Sequence, residues 1–174
     1  MQPDTLTTAA AQFGIGQDYN VVGLPIDSGS VPPASDLVQR TEDGFGQGKV
    51  VVSPFGMAMA AATVANGSTP VPQLISGRET TIDGERPAIS PAMVDGLRGM
   101  MRLVVTSGTA ERVEDQGEVY GKTGGSRGRR GDRTRGSSAI AGTWPSRLWL
   151  CGGGSSDNAV AVTRDMLTAL PEGY

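Results

Sequence analysis

Two Ser-Pro pairs, Ser53-Pro54 and Ser90-Pro91, each followed by apolar residues three and four apart, constrain this chain more than any other feature. A serine just outside a helix can accept from the free N–H groups of the first turn. Proline at the first helical position gives up only a donor that would have no partner there. After Pro54, Phe55, Met57, Ala58, Ala61, Ala62 and Ala65 recur at helical spacing until Asn66-Gly67. The pattern predicts a helix over 54–65 whose Ala/Met face packs closely on another element. After Pro91, Met93, Val94, Leu97, Met100, Met101, Val104 and Val105 predict a second, amphipathic helix over 91–106, ended by Ser107-Gly108. Ser155-Ser156-Asp157-Asn158 offers caps for a third, over 158–170, closed by Pro171 and Gly173.

Between these segments the 26 glycines and 11 prolines break regular structure into short pieces. Leu6 to Phe13 reads as a helix end, and Tyr19 to Leu37 as a loop with short extended stretches. Gly44-Phe45-Gly46-Gln47-Gly48 before Val50-Val51-Val52 reads as a tight turn entering a strand. Thr69 to Ile75 reads as extended, Ser76 to Ala88 as a polar loop or hairpin, and Val119 to Thr123 as a strand. Helices mixed with scattered strands, without a βαβ rhythm or repeat, give an α+β class. The 174 residues suffice for one domain or a large piece of one.

Composition removes much common enzymology. There is no His and one Cys, Cys151, which excludes an internal disulfide, Cys/His metal sites and any Ser-His-Asp or Cys-His pair. No stretch is apolar enough to span a membrane. Met1-Gln2-Pro3-Asp4 begins neither a basic nor an apolar leader, so the chain as written is expected to stay in the cytoplasm. The net charge of −3 conceals an asymmetry: residues 125–151 hold six Arg against Asp132, a local +5, so the remainder carries −8.

Gly121-Lys122-Thr123-Gly124 could close a phosphate-binding loop, but that motif needs a glycine at position 116, where Gln116 stands, and a helix where Gly125-Ser126-Arg127-Gly128 follows. Gly44-Phe45-Gly46-Gln47-Gly48-Lys49 has Lys49 where a dinucleotide fingerprint needs its third glycine. Lys-Thr-Gly has another use, on an edge strand of serine acyl-transferases. An ammonium and a hydroxyl on adjacent positions can hold a carboxylate, and the glycine lets a substrate backbone lie against the strand. A surface turn is the competing reading of the tripeptide alone.

The blocks ahead of it resemble class B penicillin-binding proteins: Phe45-Gly46-Gln47-Gly48, Val52-Ser53-Pro54-Phe55-Gly56-Met57-Ala58, Thr63-Val64-Ala65-Asn66-Gly67 with Pro72, and the run from Ser90-Pro91 through Gly99-Met100-Met101 to Gly108-Thr109-Ala110. Asp18-Tyr19-Asn20, Gly29-Ser30-Val31-Pro32-Pro33, Arg40-Thr41-Glu42-Asp43 and Leu170-Pro171-Glu172-Gly173-Tyr174 resemble actinobacterial members with a MecA-like N-terminal domain. The resemblance covers about Phe13 to Gly124 and Gly152 to Tyr174, so residues 1–174 read as the C-terminal part of a transpeptidase domain. It implies an antiparallel sheet flanked by helices, D,D-crosslinking of peptidoglycan stem peptides through an acyl-enzyme, acylation of the same serine by β-lactams, no cofactor and no metal. The parent family works outside the cell, anchored to the membrane. By resemblance, Lys122, Thr123 and Gly124 form the substrate-side strand, and the backbone N–H of Gly125 faces the oxyanion, an interaction that can lower a barrier by about 3 kcal/mol. The family's Ser-x-x-Lys nucleophile motif is absent, so no catalytic residue is assigned, and the chain alone is expected to be an inactive, truncated fragment.

Residues 125–151 depart from the family. Gly125-Ser126-Arg127-Gly128-Arg129-Arg130-Gly131-Asp132-Arg133-Thr134-Arg135 stands where relatives have a polar loop and a hydrophobic strand. One reading is an Arg/Gly contact for nucleic acid, another an adhesive Arg-Gly-Asp loop. The favoured reading is a stretch translated out of frame. GC-rich codons for Ser138 to Cys151, read from the third base, allow Gly-Tyr-Arg-Gly-Asp-Leu-Ala-Phe-Ala-Thr-Leu-Val-Val, a buried-strand pattern. Residues 125–151, and Gly125 to Ser137 above all, are therefore expected to be irregular.

Overall fold

The computed structural model describes residues 2–84, 86–127, 133–141 and 155–171. They divide into two units, Met1–Ser90 and Pro91–Tyr174. The first contains helix α1 (Thr5–Gln12), strands β1 (Asp18–Asn20) and β2 (Gly29–Ser30), helix α2 (Leu37–Gly44), strand β3 (Val51–Val52), helix α3 (Pro54–Asn66) and strand β4 (Thr81–Asp83).

Helix α3 starts and stops as its sequence dictates. Ser53 is extended, and its Oγ accepts from the backbone N–H of Gly56 at 2.9 Å. Gly67 ends the helix in the left-handed region at φ 78°. The small-residue face does pack closely: a Cβ on Gly56 would run into the main-chain carbonyl of Ser28. Met59 of this face joins Tyr19 and Val21 in the core, with Ile26, Phe55 and Ile82 packed around them. The Tyr19 and Phe55 rings meet edge to face, centroids 5.0 Å apart. Tyr19 Oη donates to Gly14 O at 3.2 Å, and burial is the main cause that raises its pKa.

Two features differ from the sequence reading. Thr81–Asp83 is not one arm of a local hairpin: β4 pairs antiparallel with β1, Tyr19 opposite Ile82. The partner lies some sixty residues away, and short polar strands carry no signature of a distant mate. Helix α2 was not foreseen, because Leu37 and Val38 at its start are exposed and show no buried stripe. Polar caps hold it instead. Asp36 Oδ1 accepts from Gln39 N at 2.8 Å, and Gln39 Nε2 donates to the buried Asp43 at 3.1 Å. Asp43 also accepts from Lys49 N at 2.8 Å, which closes the glycine turn into β3. Strand β3 pairs with β2, Gly29 opposite Val52.

The second unit contains helix α4 (Pro91–Thr106), a 3₁₀ turn (Glu111–Gln116), strands β5 (Val119–Arg127) and β6 (Arg133–Ala141), and helix α5 (Ser156–Thr168). Its core is Val105, Ala110, Val113, Val119 and Val160, with Val104 and Leu167 packed against them. Ser155 caps α5 by accepting from Asp157 N at 3.1 Å. β5 and β6 form an antiparallel ladder from Val119↔Ala141 to Arg127↔Arg133.

That ladder corrects the expectation of an irregular segment: Gly125–Arg127 and Arg133–Ala141 are paired strand. Antiparallel pairing uses the main chain, which every non-proline residue supplies, and no proline interrupts 125–141. The remainder of 125–151, at 128–132 and 142–151, lies outside the described residues. Among the described residues no helix is long and apolar enough to cross a membrane, and no group of three or more Cys, His, Asp or Glu could hold a metal ion.

Candidate functional site

The site is built on β5 and the chain that leads into it. Val119, fully buried, anchors the start of the strand in the core, and Arg102 of α4 donates from Nη1 to Val119 O at 2.8 Å. Helix α4 is thus tied to the first residue of the strand by a charge-assisted hydrogen bond. Pleating sends successive side chains to opposite faces. Val119, Gly121 and Thr123 share one face, and Tyr120, Lys122 and Gly124 the other.

Lys122 and Gly124 are exposed and Thr123 is half-buried. The Lys122 ammonium donates to the carbonyl of Thr123, the residue next to it. The Thr123 hydroxyl lies 2.5 Å from that of Thr109. Lys122 stands opposite Ser138, Thr123 opposite Ser137, Gly124 opposite Gly136 and Gly125 opposite Arg135. One edge of β5 is therefore occupied by β6, and among the described residues no strand pairs with the other. The four residues named from the sequence lie consecutively on one strand, with a cation, a hydroxyl and an approachable backbone together. No phosphate loop is formed: Gly121-Lys122-Thr123-Gly124 is extended within β5.

Near the strand, Tyr120 Oη donates to Glu118 at 2.5 Å, and this bond is the main reason its pKa is raised. On the 3₁₀ turn, Asp115 accepts two hydrogen bonds from the Arg164 guanidinium of α5, one at 2.6 Å, and Arg164 also donates to Arg112 O. The Arg164 bonds, followed by Gln116, hold the Asp115 carboxyl at a pKa of about 2. They tie α5 to the turn that precedes β5.

Sequence reasoning missed Thr109 and Arg102 as site neighbours. Thr109 had a signal: Ser107-Gly108 ends α4 a short loop before the strand, so the residue after it must turn back toward β5. Arg102 had none, since its partner is a main-chain carbonyl. The proposed basic nucleic-acid contact over Arg127 to Arg135 falls partly on 128–132, outside the described residues.

The strand carries Lys-Thr-Gly beside an edge with no partner among the described residues, in the same unit as helices α4 and α5. The model of the penicillin binding protein transpeptidase domain matches residues 1–165, and the chain belongs to that family. The crystal structure of Pseudomonas aeruginosa PBP2 in complex with WCK 5153 is similar at a TM-score of 0.72 and 21% identity, over 98% of this chain and 45% of that one. The fold is accordingly a partial penicillin-binding transpeptidase fold of mixed helix and sheet. The chain spans less than half the length of that neighbour. No curated protein matches it.

Proposed function

We propose that residues 1–174 carry the substrate-side strand of a peptidoglycan D,D-transpeptidase that β-lactams acylate, of class B and of the actinobacterial type with a MecA-like N-terminal domain. The observation that carries this reading is Lys122-Thr123-Gly124 on a strand with one edge free of described partners. An extended peptide laid along that edge would place its carboxylate at the rim of the strand, reached by the Lys122 ammonium from one face and by the Thr123 hydroxyl from the other, with Gly124 leaving room for its backbone. The Gly125 N–H would then face the developing oxyanion. Such chemistry belongs outside the cytoplasmic membrane, where the family acts.

The nucleophile must come from elsewhere. No serine here has a lysine three residues on, and a serine hydroxyl without a neighbouring base is a poor nucleophile at neutral pH. We read the chain as the C-terminal part of the domain, inactive alone, with 125–151 out of frame. The test is to sequence the whole locus and label its product with a fluorescent penicillin. A product carrying Ser-x-x-Lys that is acylated, and loses acylation on Lys122→Ala, is expected. A reading frame that yields no such motif, or a Lys122→Ala product labelled as fast as its parent, overturns the reading.

A further inference from the structure

The short contact between Thr109 and Thr123 joins two well-anchored pieces of backbone. On one side, α4 closes tightly: Ser107 N donates to Leu103 O at 3.0 Å and Ala110 N to Val104 O at 3.0 Å. Gly108 sits so close that a Cβ there would lie 2.9 Å from the backbone of Val104. Ala110, the next residue after Thr109, is buried in the core with Val105 and Val113. On the other side, Thr123 is held in the ladder opposite Ser137, on a strand pinned at Val119 by burial and by Arg102. Thr109 itself is exposed, so its hydroxyl is not there to satisfy a buried group.

A hydroxyl has one proton and two acceptor lone pairs, so only one of the two threonines can donate into the 2.5 Å contact. If Thr123 donated, its only proton would be consumed and its two lone pairs would repel an anion beside Lys122. If Thr109 donates, Thr123 keeps its proton for an outside acceptor, and a donated bond at its oxygen makes that proton a better donor. We infer that Thr109 is a positioning residue: it donates to Thr123 Oγ1, fixes the Thr123 side chain in one rotamer, and leaves the Thr123 proton for the carboxylate of a D-alanyl peptide held beside Lys122. The inference rests on the reading of Lys122 to Gly124 as a carboxylate cradle.

The test uses the isotopically labelled full chain. Three-bond couplings from Thr123 Cγ2 to its backbone N and carbonyl carbon report its χ1 angle without any ligand. Wild type and Thr109→Ser, which keeps the hydroxyl, should show one rotamer; Thr109→Val and Thr109→Ala should show averaged couplings with the other amide signals in place. Titration with acetyl-D-alanyl-D-alanine, followed at the amides of Lys122, Thr123 and Gly124, should give binding about two- to tenfold weaker in Thr109→Val, the range one neutral hydrogen bond supplies. Thr109→Ser should restore it, and Thr109→Val should have no further effect in a Thr123→Val background. Unchanged Thr123 couplings in both Thr109→Val and Thr109→Ala overturn the proposal, as does a Thr109→Ser variant as impaired as Thr109→Val. Averaged couplings in a protein whose wild type never binds the dipeptide would uphold Thr109 as the residue that orients Thr123 and defeat the carboxylate cradle instead.

Discussion

Val119 links the core to the site, so truncating it to alanine measures how much of the Lys-Thr-Gly strand is held by packing. The side chain is 0% exposed and packs with Val105, Ala110, Val113 and Val160. Val119→Ala removes two carbons, each worth about 0.8 kcal/mol on transfer from water. If neighbours do not close in, the cavity of roughly 50 Å³ adds about 1.2 kcal/mol at ~24 cal/mol per Å³. The expected cost is therefore about 1.6–2.8 kcal/mol, the lower figure if α5 relaxes onto the strand. Val162→Ala is the control: it makes the same chemical change on α5 at a side chain 41% exposed, and should cost under about 0.5 kcal/mol. Urea unfolding followed by far-UV circular dichroism reads both. With a slope of about 2 kcal/mol per M, the Val119 variant should unfold roughly 1 M earlier. Equal midpoints for the two variants would refute the claim that β5 is anchored by this cluster.

How far the fold was legible depended on how local its causes are. Helices α3 and α4 could be read because cap, first-turn proline, periodic face and terminal glycine all lie within one segment. Ser53 and Gly67 act as their positions suggest. The β1–β4 pairing could not be read, because Asp18–Asn20 and Thr81–Asp83 have no preference for each other that shows before they meet. Helix α2 escaped because hydrogen bonds among Ser35, Asp36, Gln39 and Asp43 hold it, and amphipathic periodicity does not. At the candidate site, the sequence singles out Lys122 to Gly125 by residue type, and β5 carries them consecutively. Thr109 became visible only once the end of α4 and the start of β5 were brought together. The main-chain pairing of Gly125–Arg127 and Arg133–Ala141 also lay beyond sequence reasoning, since composition governs side chains while the pairing uses backbone groups.

Three further outcomes test the remaining links. Ser53→Ala should destabilise the chain by about 1 kcal/mol through loss of the cap on Gly56 N, read by urea unfolding, and Ser53→Asp should recover most of it; no loss in the alanine variant would remove the cap from the account of α3. Purified residues 1–174 incubated with a labelled penicillin should gain no mass, because none of the serines has a lysine three residues on, and stoichiometric acylation of any serine would overturn this. The last outcome concerns pH. The Asp115 pKa of about 2 lies below its ordinary 3.8 because the Arg164 guanidinium, first of all, hydrogen-bonds the ionised carboxylate. A carboxyl whose folded pKa is depressed binds fewer protons folded than unfolded, so its contribution is present above about pH 4 and is lost as pH falls toward 2. The Asp115 side chain is 60% exposed and that of Arg164 36%, so water screens the pair and keeps that contribution small. The titration itself is therefore the sharper measurement. Followed by the Asp115 side-chain carbon signal, its midpoint should stand near pH 2 in the wild type and move up toward 3.8 in Arg164→Ala. A midpoint that stays put when Arg164 is removed would mean that the guanidinium does not hold the carboxylate, and would leave the packing of Val160 with Val113 and the hydrogen bond from Thr168 Oγ1 to Gln116 Oε1 to join α5 to the turn before β5.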